Sequence, residues 1–371
     1  MPRVLAPLGL LLSLAFPSAG QIGSDATLTD VAYGGYADPE QPESAELLDL
    51  YVHSDAETPQ PVLIEVHGGA FMEGTKGDFA WYLADEEGID VIDKAFDAGF
   101  AVVTLDYPLA APALLPTGQP NPKFPENKYP RAAHSVRRAI QFVRSKAVEW
   151  NLDPERVFLI GNSSGGNLCL WSAMTRDIAK PTSSNPVAQQ SSRPNGVVFL
   201  STPTFLDPAH LLLPPDQPEI ANYFGKTSQA ALDKPSATKK ALAASPAWRV
   251  CHKKGLAKTS ADMVELNVST PLLGVYSNLD VSATSSSYAF PVDDPHSAAF
   301  GLLMREAFDE YAQQMQDPHA HWTDFSLLGV KASDPEEAAS AADAVAAWLQ
   351  QRAEIETAVP SGTASDTEPP P

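Results

Sequence analysis

Short apolar runs alternate with amphipathic segments along most of the chain. Residues 131–150 place apolar side chains on one face at spacings of four, three and four, which predicts a helix. Nearly continuous apolar runs have the length of strands that are buried on both faces, and they lie at residues 62–66, 100–105, 157–161, 196–200 and 272–276. Because strand and helix alternate, we expect right-handed crossovers and one mainly parallel sheet, which is the α/β class.

Weaker patterns extend this prediction toward both termini. Further elements are expected at residues 27–36 and 47–52 (strands), 90–98 and 297–316 (helices), 324–330 (a strand) and 335–352 (an Ala-rich helix). Three insertions interrupt the regular pattern, at about residues 108–130, 178–195 and 207–248. The second insertion is rich in Ser, Pro and Gln and predicts a flexible surface segment, and the third resembles a lid over the strand ends. A basic run on helix 131–150 is interpreted as a solvated face.

The two ends of the chain differ in composition from the middle. Arg3 precedes an apolar stretch over residues 4–16 that is shorter than a membrane span. We expect residues 1–20 to be a signal peptide and the mature protein to be secreted or periplasmic; an uncleaved anchor is the alternative. Residues 354–371 are rich in Pro, Ser, Thr and Glu and predict a disordered tail, which leaves residues 21–353 as one domain. No later apolar run is long enough to span a bilayer, so no integral membrane segment is expected after signal removal.

The overall composition argues against several classes of function. The 371 residues carry a formal net charge of −21, and such an acidic surface repels nucleic acid and anionic membranes. With 44% hydrophobic and 19% charged residues, the chain can bury a sizeable core. The two cysteines, Cys169 and Cys251, are too few for a disulfide framework, and the sequence leaves open whether they pair. The sequence has neither a metal-ligand spacing nor a Gly-rich phosphate loop, so we expect no metal and no cofactor.

Ser163 lies at the junction of a predicted strand and a predicted helix. The apolar run 157–160 ends in Gly-x-Ser-x-Gly, and a helical pattern over residues 168–174 follows. A tight strand-to-helix turn leaves no space for a Cβ at Gly161 or Gly165, which explains the two glycines. The pattern therefore predicts a nucleophile elbow, with Ser163 strained and exposed at the carboxyl end of a strand.

A second glycine motif follows an earlier strand. His-Gly-Gly occupies residues 67–69, directly after the apolar run 62–66. Acyl transfer to a serine needs a base, a group that orients the base, and hydrogen-bond donors for the oxyanion. Glycines let backbone N–H groups approach a substrate oxygen closely. Gly68, Gly69 and the backbone N–H of Ser164 are therefore the predicted oxyanion donors.

Several segments together carry a family resemblance, and they are residues 48–52, 67–71, 104–110, 138–143 and 151–167. On these segments the chain resembles an α/β-hydrolase. It is most similar to the secreted carboxylesterases related to hormone-sensitive lipase and the feruloyl-esterase-like domain family, clearly over residues 28–205 and less so from 206 onward. The resemblance implies an α/β-hydrolase fold, with a mostly parallel sheet, helices on both faces and a lid-like insertion. It also implies hydrolysis of a small-molecule or polysaccharide-linked carboxylic ester, with Ser163 as nucleophile.

The same resemblance places the acid of the catalytic triad in the loop after the strand at residues 272–276. Asp280 is the predicted acid, and Asp293 and Asp294 in the same loop are alternatives. The alternative interpretation of each of the three carboxylates is a solvated loop residue without a catalytic role.

The histidine that serves as base is missing from its usual position. The resemblance implies a histidine after the last strand, but residues 329–335 contain none. His319 and His321 precede that strand and would lie about 25 Å from the strand ends, at about 3.3 Å per strand residue. His296 lies in a loop at the carboxyl edge of the sheet and is the predicted replacement base. His134 and His252 have less support.

Two classes of function remain open on the sequence. The first is a secreted esterase that forms an acyl-enzyme on Ser163 and uses a displaced base. The second is a catalytically impaired hydrolase-fold protein that binds an acyl or glycan ligand, since the usual histidine is missing. An amidase or peptidase on the same fold is a third and weaker option.

Overall fold

The fold is built on one mixed sheet, seen in a computed structural model that describes residues 26–36, 44–78, 91–247, 270–315, 325–330 and 335–357. Its strands in these ranges are β1 (Leu28–Ala32), β2 (Leu47–Tyr51), β3 (Gln60–Val66), β4 (Ala101–Leu105), β5 (Leu152–Asn162), β6 (Gly196–Leu200), β7 (Leu272–Ser277) and β8 (Phe325–Val330). They lie in the order β1-β2-β4-β3-β5-β6-β7-β8. The β1–β2 and β2–β4 pairs are antiparallel, and the other neighbouring pairs are parallel. This arrangement confirms the predicted α/β class.

Helices cover both faces of the sheet. In the described ranges they are α1 (Val91–Asp97), α2 (Arg131–Ser145), α3 (Ala147–Trp150), α4 (Ser163–Ala173), α5 (Pro186–Gln189), α6 (Glu219–Tyr223), α7 (Pro235–Ala244), α8 (Ala299–Met315) and α9 (Pro335–Thr357). On one face, α1 and α9 share an apolar cluster with Phe158 of β5. On the other face, α2, α4 and α8 share a second cluster with Leu159. Because successive strand residues point to opposite faces, β5 contributes to both clusters.

Several element boundaries differ from the sequence prediction, among them those of β5, α2 and α9. β5 starts at Leu152, inside a segment predicted as a loop, because Leu152 pairs with Gln60 at the start of β3. The helix predicted over residues 131–150 divides at Lys146 into α2 and α3. α9 ends at Thr357, so the helix continues past the predicted domain boundary at residue 353.

Two arginines of α2 are buried, which corrects the prediction of a solvated basic face. Arg137 is 4% exposed and Arg144 is 9% exposed. The guanidinium group of Arg144 donates hydrogen bonds to the carbonyl oxygens of Ser191 and Arg193. The insertion at residues 178–195, which the sequence predicted to be flexible, is therefore anchored to α2.

Some predictions concern residues outside the described ranges. They are the predicted signal peptide at 1–20, Cys251, His252, His319, His321, residues 331–334, and residues 358–371 of the predicted tail. Cys169 is a buried free thiol on α4. Within the described ranges, no helix combines the length and the apolar character of a membrane span.

Candidate active site

The turn from β5 to α4 has the shape of a nucleophile elbow. Ser163 has a φ of 49°, in the left-handed region where a residue with a Cβ is strained. A Cβ on Gly165 would lie 2.0 Å from the carbonyl oxygen of Val66. A Cβ on Gly161 would lie 2.7 Å from the carbonyl carbon of Gly165. Both glycines are therefore required where β3, β5 and α4 cross closely.

The side chain of His296 reaches Ser163. His296 lies in the loop between β7 and α8, just before the first turn of α8. Its Nε2 atom is 2.9 Å from the Oγ atom of Ser163, which is hydrogen-bond distance. The structure therefore brings the predicted nucleophile and the predicted replacement base together.

Asp280, the predicted acid, is not joined to this pair. Its carboxylate is exposed and accepts hydrogen bonds from the Ser282 hydroxyl at 2.6 Å and from the Ser282 N–H at 2.9 Å. These bonds lower the pKa of Asp280. The Asp280 carboxylate closes the turn that follows β7, which is ordinary turn chemistry for an aspartate. This finding corrects the sequence prediction for the group that orients His296.

Asp294, one of the predicted alternatives, lies beside His296. Its Oδ1 atom accepts the backbone N–H of His296 at 2.8 Å and is 3.8 Å from Nδ1 of the ring. An aspartate side chain readily accepts the N–H two residues further on, so the Asp-x-His spacing is the sequence signal that distinguishes Asp294 from Asp280. The Asp294 side chain is 62% exposed, and water therefore screens its charge from the ring. Asp293, the other alternative, is also exposed.

The surroundings of His296 favour the neutral form of its ring. Partial burial lowers the pKa of His296 from its ordinary value, and the charge of Asp294 opposes this shift. A neutral imidazole can accept the proton of Ser163 near neutral pH. The pair therefore has the properties of a nucleophile and a general base.

The His-Gly-Gly motif forms a tight coil after β3. Gly69 has a φ of 95°, and a Cβ there would lie 2.0 Å from the carbonyl oxygen of Glu73. A Cβ on Gly68 would lie 2.9 Å from the Asn162 side chain, next to the elbow. No acceptor among the described residues takes up the N–H groups of Gly68 and Gly69. These groups, and the N–H of Ser164 in the first turn of α4, remain available as donors.

His67 supports the coil and is not placed as a base. Its Nδ1 atom lies 2.8 Å from the carbonyl oxygen of Gly68, and its ring stacks on Tyr107 with centroids 4.2 Å apart. The Tyr107 hydroxyl lies 3.0 Å and 3.1 Å from the carbonyl oxygens of His67 and Gly68 and donates to them. Burial lowers the pKa of His67 to about 4, so its ring is neutral at neutral pH. The sequence pattern does not reveal this role of Tyr107, which depends on β4 lying beside β3.

The first and third insertions meet above the coil. Phe71 in the coil stacks on Tyr223 of α6, with ring centroids 3.9 Å apart. The N–H of Tyr129 donates to the carbonyl oxygen of Tyr223 at 2.8 Å. The described part of the third insertion, residues 207–247, therefore packs through α6 on the carboxyl edge of the sheet, where a lid would lie.

Together these groups can carry out one kind of chemistry. A serine hydroxyl, a neutral imidazole and backbone N–H donors lie at the carboxyl edge, and this set suits nucleophilic attack on a carbonyl group. In the part of the chain that the structure describes, no three His, Cys, Asp or Glu side chains converge as at a metal site.

Comparisons with known proteins agree with this architecture. The BD-FAE family model matches residues 48–248. Esterase LipC of Mycobacterium tuberculosis is 27% identical over 134 residues, which are 36% of this chain and 28% of LipC. Carboxylesterase NlhH of the same organism is 29% identical over 152 residues, which are 40% of this chain and 39% of NlhH. The chain thus spans less than half of the length of either relative.

A solved structure shares the fold. It is a truncated form of a carbohydrate esterase from gut microbiota, with a TM-score of 0.55 and 16% identity, and it covers 88% of this chain and 96% of that chain. The family match extends over more than half of this chain and includes β3, the coil and the elbow. The chain belongs to the BD-FAE family and has the α/β-hydrolase fold.

Proposed function

We propose that the protein is a serine esterase that hydrolyses a carboxylic ester through an acyl-enzyme on Ser163. The observation that carries this proposal is the 2.9 Å contact between Ser163 Oγ and His296 Nε2. The names of the curated relatives, an esterase and a carboxylesterase, support the reaction class.

The proposed reaction has two steps. Ser163 Oγ attacks the carbonyl carbon of the ester while His296 Nε2 takes the hydroxyl proton. The carbonyl oxygen becomes negatively charged and is stabilised by the available N–H groups of Gly68, Gly69 and Ser164; losing one such donor typically costs about 3–4 kcal/mol in the transition state. The protonated His296 gives its proton to the departing alkoxide, which leaves as an alcohol. Water then attacks the acyl-enzyme with His296 as base, which releases the carboxylic acid and restores Ser163.

Asp294 supports the charged form of His296 in both steps. An imidazolium forms each time His296 takes a proton, and the negative charge of Asp294 stabilises it. The 3.8 Å separation from Nδ1 is longer than a hydrogen bond, so this support is electrostatic and is screened by water.

The remaining parts of the proposal concern the substrate and the compartment. Neither the part of the chain that the structure describes nor the relatives named above favour the alternative of an impaired protein that only binds an acyl or glycan ligand. We take the substrate to be a small-molecule or polysaccharide-linked ester. The pattern of residues 1–20 supports export of the protein.

Labelling with a fluorophosphonate tests the proposal, because this probe reacts covalently with an activated serine. We expect stoichiometric labelling and turnover of p-nitrophenyl acetate. Ser163→Ala is expected to abolish both in a folded protein. Ser172→Ala removes a hydroxyl from the same helix, where it bonds to the carbonyl oxygen of Leu168, and is the matched control with unchanged labelling. Folded wild-type protein that remains unlabelled would contradict the proposal.

The two loop carboxylates are expected to differ in their effect on turnover. Asp294→Asn keeps an oxygen for the N–H of His296 but removes the charge, and kcat should fall about 2- to 5-fold, since exposed ion pairs contribute up to about 1 kcal/mol. Asp280→Asn removes a carboxylate that bonds only within its own turn, and kcat should stay within about twofold of the wild type. The measurement is kcat for p-nitrophenyl acetate. If kcat fell more in Asp280→Asn than in Asp294→Asn, Asp280 and not Asp294 would be the carboxylate that supports His296.

A further inference from the structure

The loop that carries His296 is hydrogen-bonded to the third insertion. We call residues 278–297, between β7 and α8, the base loop. Val292 of this loop forms an isolated parallel bridge to the insertion. The N–H of Val292 donates to the carbonyl oxygen of His210 at 3.0 Å, and the N–H of Leu212 donates to the carbonyl oxygen of Val292 at 2.9 Å. Two backbone hydrogen bonds therefore fix the base loop shortly before His296.

Asp207 organises the segment on the other side of this bridge. We call residues 205–213 the support segment. The Asp207 side chain is only 3% exposed; its Oδ1 atom lies 2.9 Å from Nδ1 of His210, and its Oδ2 atom accepts the N–H of Ala209 at 3.1 Å. Its backbone carbonyl oxygen accepts the N–H groups of His210 and Leu211. A buried carboxylate is costly without such partners, so the turn at residues 207–211 stabilises the Asp207 carboxylate. In return, the carboxylate stabilises this turn, which places Leu211 for the bridge to Val292.

The ring of His210 links the support segment to the base loop a second time. It stacks on Phe205 with centroids 4.0 Å apart and meets Phe290 of the base loop edge-on at 5.8 Å. Since Asp207 is the acceptor, Nδ1 of His210 is assigned as the protonated nitrogen, and this hydrogen bond fixes the plane of the ring. Side-chain and backbone contacts thus act on the same stretch of the base loop, between Phe290 and Val292.

We propose that Asp207 and His210 are positioning residues for His296. This inference rests on the proposed function, in which His296 is the base. His296 lies in a long loop rather than at the end of a strand, so its position relative to Ser163 depends on how the base loop is held. A displacement of about 1 Å is enough to cost about 100-fold in rate. The support segment holds the loop within a few residues of the base.

The test compares Asp207→Ala with Asp177→Ala. Asp177 also organises a turn, where its carboxylate accepts the N–H of Ser192 at 2.8 Å, but this turn precedes β6 at the amino edge of the sheet. For each folded variant, the rate constant of fluorophosphonate labelling and the kcat and KM for p-nitrophenyl acetate are measured. Asp207→Ala should lower the labelling rate constant and kcat about 10- to 100-fold with little change in KM, and Asp177→Ala should leave all three within about twofold.

Further variants separate a positioning role from a structural one. Asp207→Asn keeps one oxygen acceptor, which can take the Nδ1–H of His210, and loses the second acceptor, which takes the N–H of Ala209. Its rates should therefore lie between those of Asp207→Ala and the wild type. If Asp207→Ala does not fold, His210→Phe replaces it, because a phenyl ring keeps the aromatic contacts and loses only the bond to Asp207. His210→Phe should slow labelling at least about tenfold.

The possible outcomes are distinct for the two proposals. Folded Asp207→Ala or His210→Phe with wild-type labelling would overturn the positioning role and leave the proposed esterase intact. Folded wild-type protein that the probe does not label would overturn both.

Discussion

Replacing His296 by alanine is expected to lower kcat for a small alkyl ester by about four to six orders of magnitude. The Nε2 atom of His296 lies 2.9 Å from Ser163 Oγ, so the variant loses the group that takes the serine proton. What remains is the contribution of substrate binding and of the N–H donors. The rate constant of fluorophosphonate labelling should fall in parallel, because it reports the nucleophilicity of Ser163.

His53→Ala is the matched control for this experiment. His53 lies between β2 and β3, away from the carboxyl edge, and its Nε2 atom is 2.9 Å from the carbonyl oxygen of Phe96. Its replacement should change kcat by no more than about twofold, even if stability falls by about 1 kcal/mol. If His296→Ala retained more than about 1% of wild-type kcat, a different group would have to serve as base.

Gly165→Ala is expected to lower the free energy of unfolding by more than about 3 kcal/mol or to prevent folding. The new Cβ would lie 2.0 Å from the carbonyl oxygen of Val66 and 2.4 Å from that of His67. Both are backbone atoms, so no side-chain rotation relieves the clash. β3 and α4 would have to separate, and this would displace Ser163 and the coil together. Urea denaturation gives the change in free energy, and the labelling rate gives the change at the site.

Gly35→Ala provides the comparison for the steric argument. A Cβ on Gly35 would meet no atom within 4 Å, so the same chemical change should alter stability by no more than about 1 kcal/mol. Equal free energies of unfolding for Gly165→Ala and Gly35→Ala would show that the elbow tolerates a Cβ. The steric explanation for the glycine at position 165 would then be wrong.

The elbow and the coil could be predicted because their requirements are local. One tight turn needs glycine on both sides of Ser163, and the coil after β3 needs glycine at 69 for its positive φ. Such requirements leave fixed spacings in the sequence. The alternation of strand and helix similarly follows from hydrophobic periodicity, which is why the order of the main elements could be predicted.

The choice between the two loop aspartates depends on which residue stands two positions further on, and the burial of the arginines depends on contacts that no short pattern contains. Asp280 and Asp294 are both loop aspartates, and they differ in their partners. The Asp280 carboxylate accepts a hydrogen bond from the Ser282 hydroxyl, whereas the Asp294 carboxylate accepts the N–H of His296. Arg144 lies on an amphipathic helix, where a charged residue is usually solvated, and it is buried by Ser191 and its neighbours in a later insertion. Sequence periodicity describes one helix or strand at a time and does not show which distant loop will cover it.

The position of His296 before α8 has an evolutionary consequence. The residues assigned to the reaction all lie between Gly68 and His296, and α9 contributes only to the apolar cluster around Phe158 among the two clusters described above. By contrast, β8 packs on both clusters, and its Val330 carbonyl oxygen accepts the N–H of Asn278 in the base loop. Mutations in α9 should therefore change how much active protein a cell accumulates, while the turnover of each folded molecule stays the same. Selection on turnover would leave α9 largely untouched, and this helix is expected to diverge between relatives as fast as folding allows.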